Sequence, residues 1–305
     1  MKKFKRFIRH HLDIYFMLIG SFMFASTGFF ARLLSDDLSS IEIMFFRNLV
    51  GVIFIVYQIT KIKHKKPGGH FWLLFFRGFV GTLALYAFFY NVTHISLGGA
   101  FAFQKTNPIF VALIAMIFLK ERLSFLAICG ILLSFIGVLF IVDPFHFNGF
   151  DLKNSTLGVL SGLFAAIALT SVRQLGHSYN TEYIVLSFFA LGTIMPIFSM
   201  IFGEFLPQSS LENFDFAVSK FVMPTGLMWV FIVLMGSFSV GYQIYVTKAY
   251  RATKKAGIVA GISYMDVLFT FILGLFLGDG LPSLTVFIGI LMVVSGGLII
   301  SVMKK

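Results

Sequence analysis

Charge is scarce in this chain. Only 12% of its 305 residues are Asp, Glu, Lys or Arg, about half of the roughly 25% carried by an ordinary globular domain. So few charges cannot cover a water-facing surface, which excludes a water-soluble enzyme or a DNA-binding domain. A disordered chain is excluded as well, because it needs high charge and low hydrophobicity. Cysteine is nearly absent. Cys129 is the single one, and it lies inside an apolar run. That excludes an internal disulfide and a multi-cysteine metal site, and leaves a core-filling side chain. Alternating polar and apolar strands are lacking, which argues against a β-barrel. Walker A, Gly-x-Gly-x-x-Gly and His-Glu-x-x-His patterns are missing. His10, His11, His64, His70, His94, His146 and His177 fall in loops or at the ends of apolar segments, without a metal-binding spacing.

What the chain does have is apolar length. Hydrophobic residues make up 58% of it, and Phe alone occurs 41 times. Ten apolar segments run over 14–34, 41–60, 71–91, 96–118, 124–142, 156–173, 181–203, 225–247, 256–277 and 283–302. At about 20 residues per crossing, ten spans occupy roughly 200 positions. The expected fold is therefore an all-α membrane protein with ten transmembrane helices. The basic start (Lys2, Lys3, Lys5, Arg6, Arg9) precedes an apolar run of 21 residues. That run is longer than the core of a signal peptide, so it reads as a retained first helix.

Placing the charges gives an orientation. With a cytoplasmic N-terminus and alternating spans, 18 of the 24 basic residues fall on the inner side, and only Lys153 and Lys220 on the outer. Lys and Arg collect on the cytoplasmic side of membrane proteins. The net charge of +11 is thus a topology signal and no sign of a nucleic-acid partner. Both termini are expected in the cytoplasm, in an inner membrane of bacterial type. Clusters such as Lys61, Lys63, Lys65 and Lys66 fit contact with anionic membrane lipids.

The two halves of the chain resemble each other. Gly130 and Gly137 in the fifth span match Gly289 and Gly296 in the tenth, following Glu121 and Asp279 respectively. Gly20, Arg32 and Glu42 pair with Gly162, Arg173 and Glu182 at similar spacings. The repeat is five helices long, residues 1–142 and 156–305. Five is odd, so the second copy is inverted, a frequent design of secondary transporters. Glycines seven apart share a helix face and allow close backbone approach.

Several stretches carry a family resemblance: Glu42-Ile-Met-Phe-Phe-Arg47, Phe76-Arg77-Gly78 through Gly81, Tyr86-Ala-Phe-Phe-Tyr90, Asn107-Pro108 and Leu119-Lys-Glu121-Arg. In the second half the matching stretch runs from Tyr242-Gln-Ile-Tyr245 through Ala249-Tyr250 to Gly278-Asp279. In this arrangement the chain resembles the EamA-type branch of the drug/metabolite transporter superfamily over essentially its whole length. Two departures are Asp279, where the family usually shows Glu, and Asp266, at the counterpart of Pro108. The resemblance implies gradient-driven or proton-driven movement of small metabolites without a cofactor. It places Arg47 on the family's second-span arginine and Arg77 in the Arg-Gly pattern of the third.

Charges left inside the spans mark the candidate site. An ionisable group at mid-bilayer costs about 2.5–3.5 kcal/mol on insertion scales. By helix rise, Asp266 lies roughly 15 Å into the ninth span and Lys105 roughly 13 Å into the fourth. Arg47 and Arg77 lie roughly 9 Å deep, within reach of snorkelling; both are candidates for bonding helix carbonyls or an anion. Gln104-Lys105-Thr106-Asn107-Pro108 sets four polar side chains in a row before a proline. Pro108 leaves the carbonyl of Gln104 without its helical donor, and such backbone is tolerated in a bilayer only where it is buried in protein or lines a cavity. Gly78, Thr82, Tyr86 and Tyr90 share a face of the third span, and the eighth offers Ser239, Tyr242, Gln243 and Tyr245.

The expectation is a secondary active transporter of a small polar metabolite, not an enzyme, with an amino acid or related carboxylate favoured. Lys105 would meet an anionic group, with Gln104, Asn107, Tyr86, Tyr242, Arg47 and Arg77 around it. Asp266 would pair with Lys105 and exchange the coupling proton. S-adenosylmethionine or another nucleoside-type cargo is an alternative, because the aromatics could stack on a base. Asp36-Asp37 keeps open a lipid-linked transferase with Mg²⁺, which would need further acids near one membrane face. No metal and no cofactor are expected.

Overall fold

The computed structural model describes residues 12–64, 66–94, 97–118, 120, 122–142, 152–207, 211, 214–253, 256–276 and 284–302. The basic start, Lys65, Glu121, Asp143, Asp151, Glu212, Gly278, Asp279 and the final lysines lie outside the described residues. All regular structure among the described residues is helical: α1 (Leu12–Leu34), α2 (Ser40–Thr60), α3 (Phe71–His94), α4 (Leu97–Gln104), α5 (Asn107–Ile117), α6 (Phe125–Val142), α7 (Leu152–Ser178), α8 (Thr181–Phe205), α9 (Met228–Ala252), α10 (Ala256–Ile262), α11 (Met265–Phe276) and α12 (Leu284–Val302). Seven stretches are long and apolar enough to cross a membrane: α1, α2, α3, α7, α8, α9 and the run Ala256–Gly274. Shorter apolar helices cover Asn107–Ile117, Phe125–Phe140 and Phe287–Ile300. Large apolar side chains such as Trp72, Phe125 and Phe205 stand exposed on the outside of the bundle. The protein is a multi-pass membrane protein.

Two of the expected spans are broken. The fourth stops at Gln104 and restarts at Asn107, and the N–H of Thr106 turns back to the carbonyl of Phe103 at 3.0 Å. Pro108 sits in the first turn of α5, where its missing N–H costs nothing. The ninth, read from sequence as continuous, breaks at Ser263-Tyr264, where the Ser263 N–H bonds Ala260 O at 3.0 Å. No proline marks that second break. Asp266 stands in the first turn of α11, where the helix dipole favours an acid.

Packing follows a pattern. Helix α1 lies along α9, and α3 along α7; α2 meets α8, and α6 meets α12. Helix α5 also packs on α7 and on α10, while α11 packs on α1. Helix starts are tied down in the same way at both faces. Ser39 and Glu42 form a capping box at the start of α2, and Glu42 also accepts the Val222 N–H from the segment before α9. Asn180, the N-cap of α8, bonds the backbone of Lys66 at 2.8 Å and of His64 at 3.1 Å in the segment before α3. Between α6 and α12 the glycine seam forms. A Cβ on Gly130 would lie 3.0 Å from Gly296 O, and one on Gly137 2.7 Å from Gly289 O.

This seam generates a prediction. Gly137→Leu overpacks it and lowers stability by about 1–3 kcal/mol, read as earlier thermal aggregation of the detergent-solubilised protein. Gly20→Ala adds a methyl that meets nothing nearer than 3.6 Å, and leaves the aggregation temperature unchanged.

Candidate functional site

The two broken helices meet at their breaks. Lys105 follows α4, and its ammonium pairs with Asp266 Oδ2 and donates to the carbonyl of Ser263 at 3.2 Å. Lys105 and Asp266 are each 2% exposed, so neither reaches water. The cation thus satisfies a carboxylate and a backbone oxygen at the partner break together. Asp266 Oδ1 and the Tyr264 hydroxyl find no hydrogen-bond partner among the described residues. The Lys105 ammonium also lies 5.7 Å from the centre of the Phe24 ring, and Phe24 stacks on Tyr242 at 4.6 Å.

On the other side of that aromatic layer is a small cavity of about 50 Å³. It has room for a few waters and is far below the roughly 300–1,000 Å³ of an open ligand site. Arg47, Arg77, Gln104, Tyr242 and Gln243 line it together with Phe24 and Phe188. Helices α1, α2, α3, α4, α7, α8 and α9 each contribute to its wall, α7 through Ala165, Ala168 and Leu169.

The arginines are the unusual element. Each is 1% exposed, so neither snorkels to a headgroup. Neither bonds a helix carbonyl among the described residues, against the expectation that they order helices in that way. Arg47 Nη1 donates to Asn48 Oδ1 at 2.9 Å, and Arg77 Nη2 donates to Gln243 Oε1 at 3.1 Å. Both lie over the ring of Phe188, at 5.7 Å and 4.7 Å. Phe188 fits there because Gly81 carries no side chain; a Cβ would come within 2.8 Å of its ring. Arg47 Nε, Arg77 Nε and Arg77 Nη1 have no hydrogen-bond partner, and no carboxylate pairs with either arginine among the described residues. Buried charges are ordinarily paired. Cation–π contact supplies part of the compensation and leaves the donors unanswered.

The structure thus gathers Arg47, Arg77, Gln104 and Tyr242 around one cavity, and Lys105 with Asp266 directly behind it. Two residues fall elsewhere. Tyr86 is turned toward α8, where its hydroxyl shares a hydrogen bond with Ser199 Oγ at 2.7 Å, and it lines a separate apolar cavity of about 290 Å³. The face of α3 that meets the central cavity is Arg77, Gly81, Leu85 and Phe88, one position away from the tyrosine stripe. Asn107 is buried at the start of α5, with its Oδ1 unbonded and its backbone N–H close to Gly162. Gln243, noted in the sequence as a polar side chain of the eighth span but not placed around the substrate, joins the cavity wall. Phe188 gave no sequence signal, being one phenylalanine among many.

Residues 12–143 match the model of the EamA-like transporter family. A relative described as an uncharacterized transporter, from Helicobacter pylori (strain J99), is 30% identical over 289 residues, which cover 93% of each chain. The chain belongs to the EamA-like transporter family. It is accordingly a transporter for a small molecule and not a lipid-linked transferase. Another relative is the pseudopaline exporter CntI of Pseudomonas aeruginosa (strain UCBPP-PA14), 29% identical over 91% of this chain and 92% of that one. Human solute carrier family 35 member G1 is 27% identical over 89% of this chain and 74% of its own length. A solved crystal structure at 16% identity superposes with a TM-score of 0.71, covering 93% of this chain and 96% of that one.

The ion pair generates the second prediction. Lys105→Ala or Asp266→Ala strands one buried charge and costs about 3–5 kcal/mol. The double variant leaves no lone charge and recovers most of the loss. Yield of monodisperse protein and thermal aggregation temperature report it; a double variant as unstable as the two singles combined would mean that the pair is not coupled.

Proposed function

We propose that the protein is a secondary active transporter that moves a small carboxylate-bearing metabolite across the cytoplasmic membrane by alternating access. The observation that carries this reading is the pair of buried arginines on one cavity with unanswered donors and no acidic partner. A carboxylate accepts such donors two at a time, in the planar geometry that guanidinium offers. Short dicarboxylates and amino acids without net positive charge fit best. S-adenosylmethionine adds a sulfonium to its ammonium, so its net positive charge would face two uncompensated guanidinium charges.

The packing supports ten spans in two inverted halves, 1–142 and 156–305. Exchanging the halves converts the α1–α9 contact into α7–α3 and the α5–α7 contact into α11–α1. It leaves α2–α8 and α6–α12 unchanged, and it converts α5–α10 into α11–α4, which also touch. A two-fold axis in the membrane plane has this effect, and it makes the two open states near-equivalent uses of one fold. The distribution of basic residues supports cytoplasmic termini.

In this reading Asp266 carries the coupling proton. Protonation neutralises its carboxylate and frees the Lys105 ammonium to face the cavity across the Phe24–Tyr242 layer, where it adds a third cation for the substrate. Loss of the proton restores the pair and withdraws that cation. Substrate affinity and protonation are then linked through one side chain.

Proteoliposome counterflow with labelled glutamate, succinate and citrate tests the reading. Arg47→Gln and Arg77→Gln each lower transport of the active probe by about 10–100-fold, the loss of a charge-assisted hydrogen bond of about 1.5–3 kcal/mol. An imposed pH gradient accelerates net uptake in the parent protein and has no effect in Asp266→Asn, which still performs counterflow. An unchanged gradient response in Asp266→Asn would remove Asp266 as the coupling group. Full activity of both arginine variants would remove the carboxylate reading.

A further inference from the structure

A second, larger pocket of about 590 Å³ opens at the face where the inner-side basic residues gather. Lys66, Arg173, Lys248 and Arg251 line it, with His177, and no acidic side chain lines it among the described residues. All four cations are half-buried. Positive-inside topology accounts for their sign and not for their convergence. Two of them are drawn to a single oxygen, since Lys66 Nζ and Arg251 Nη2 both donate to the carbonyl of Gly176. Glu182 lies within electrostatic reach of Arg251 but does not line the pocket. Burial, and then the Arg251 charge beside it, pull the Lys66 ammonium below its ordinary pKa. Four cations converging on one wall, with no acid among its described lining residues, give the pocket a positive potential that a low-dielectric surround focuses.

The pocket shares its walls with the arginine cavity. Helix α1 supplies Phe16 here and Phe24 there; α7 supplies Arg173 here and Leu169 there; α9 supplies Lys248 here and Tyr242 there. By helix rise the two sites are only about 6–12 Å apart along these helices. Between them Met17, Val172 and Val246 are buried and belong to one packed cluster. Along these helices the order is a wide basic pocket, buried apolar side chains and a narrow cationic cavity.

We propose that the basic pocket is an anion-collecting vestibule, a first binding site that takes the carboxylate of a soluble organic anion before it passes the Met17–Val172–Val246 collar to Arg47 and Arg77. The inference rests on the carboxylate reading of the central cavity. The shared helices favour a soluble occupant on the transport line over a lipid headgroup, which would approach from the side of the bundle.

The single cysteine makes a direct test feasible. Cys129→Ala clears the background, and Ala252→Cys sets a thiol on the pocket wall at an exposed position. The probes are anionic and cationic methanethiosulfonate reagents, each rate normalised to that of a free thiol, on protein in phosphatidylcholine nanodiscs. The vestibule predicts that the anionic reagent is favoured about ten-fold or more at low salt and that the preference shrinks at high salt. Lys248→Gln reduces the preference, Arg173→Gln does the same, and citrate slows the labelling. Lys248→Gln alone suffices if Arg173→Gln fails to give monodisperse protein. Equal rates for the two reagents, or an unaltered preference in Lys248→Gln, overturn the proposal. Protection by phosphatidylglycerol nanodiscs but not by citrate overturns it as well, in favour of a lipid headgroup. Arg47→Gln leaves the labelling preference intact, so failure of the central-site reading and failure of the vestibule are told apart.

Discussion

The structure depends on how it accommodates a lysine and an aspartate in a place without water. Unpaired, each charge costs several kcal/mol in an apolar medium. Paired, they fix the geometry of everything around them. Lys105 meets Asp266 because the fourth and ninth spans are both interrupted, and the interruptions face each other. The Ser263 carbonyl supplies a second acceptor to the same ammonium. That carbonyl also accepts the Asp266 N–H at 3.2 Å, so it serves the turn and the cation together. Break and charge therefore support each other: the turn sets the Ser263 carbonyl and the Asp266 carboxylate side by side, and the cation binds both.

The arginines pose the opposite problem. Arg47 and Arg77 are as buried as Lys105, yet amide oxygens and the faces of phenylalanines answer them, not acids. Neutral partners compensate a charge only in part. A structural ion pair and an unneutralised guanidinium pair thus lie on either side of one aromatic layer, Phe24 on Tyr242. The paired site joins the two breaks. On the carboxylate reading, the unneutralised site stores attraction for an anion. That division of labour separates the two kinds of buried charge in this protein more clearly than depth in the membrane does.

Much of this was legible in the amino-acid sequence, for physical reasons. A crossing of about 20 apolar residues is a long signal, and a charge inside it stands out, so Lys105, Asp266, Arg47 and Arg77 declared themselves. Gln104-Lys105-Thr106-Asn107-Pro108 announced a broken helix because proline removes a donor. The break at Ser263-Tyr264 has no such mark. It follows from what packs against it, which hydropathy cannot see. Tyr86 shows a second limit. A spacing of four establishes that Gly78, Thr82, Tyr86 and Tyr90 share a face, but not which neighbour that face meets. The face meets α8, where Gly78 abuts the carbonyl of Ser187, and Arg77 one residue earlier points into the cavity. In a bundle apolar on nearly all sides, rotation about the helix axis is set by small residues and close contacts, and these are weak in any single sequence.

The size of the cavity ties these parts together. At about 50 Å³ it is narrow around its arginines, and three of their nitrogens meet no acceptor among the described residues. A buried donor without an acceptor costs about 1–3 kcal/mol. On the carboxylate reading, the closed form is then disfavoured unless an anion supplies the acceptors, whereas in a form open to either face water does so. Such a carrier closes readily when loaded and reluctantly when empty. The same donors that recognise the cargo would restrain futile cycling, without any separate gate. Lys105 modulates that balance, because releasing it from Asp266 adds one more positive charge needing an answer. The constraint that shapes the fold, that no charge stays buried without a partner, becomes on this reading the rule by which transport is coupled.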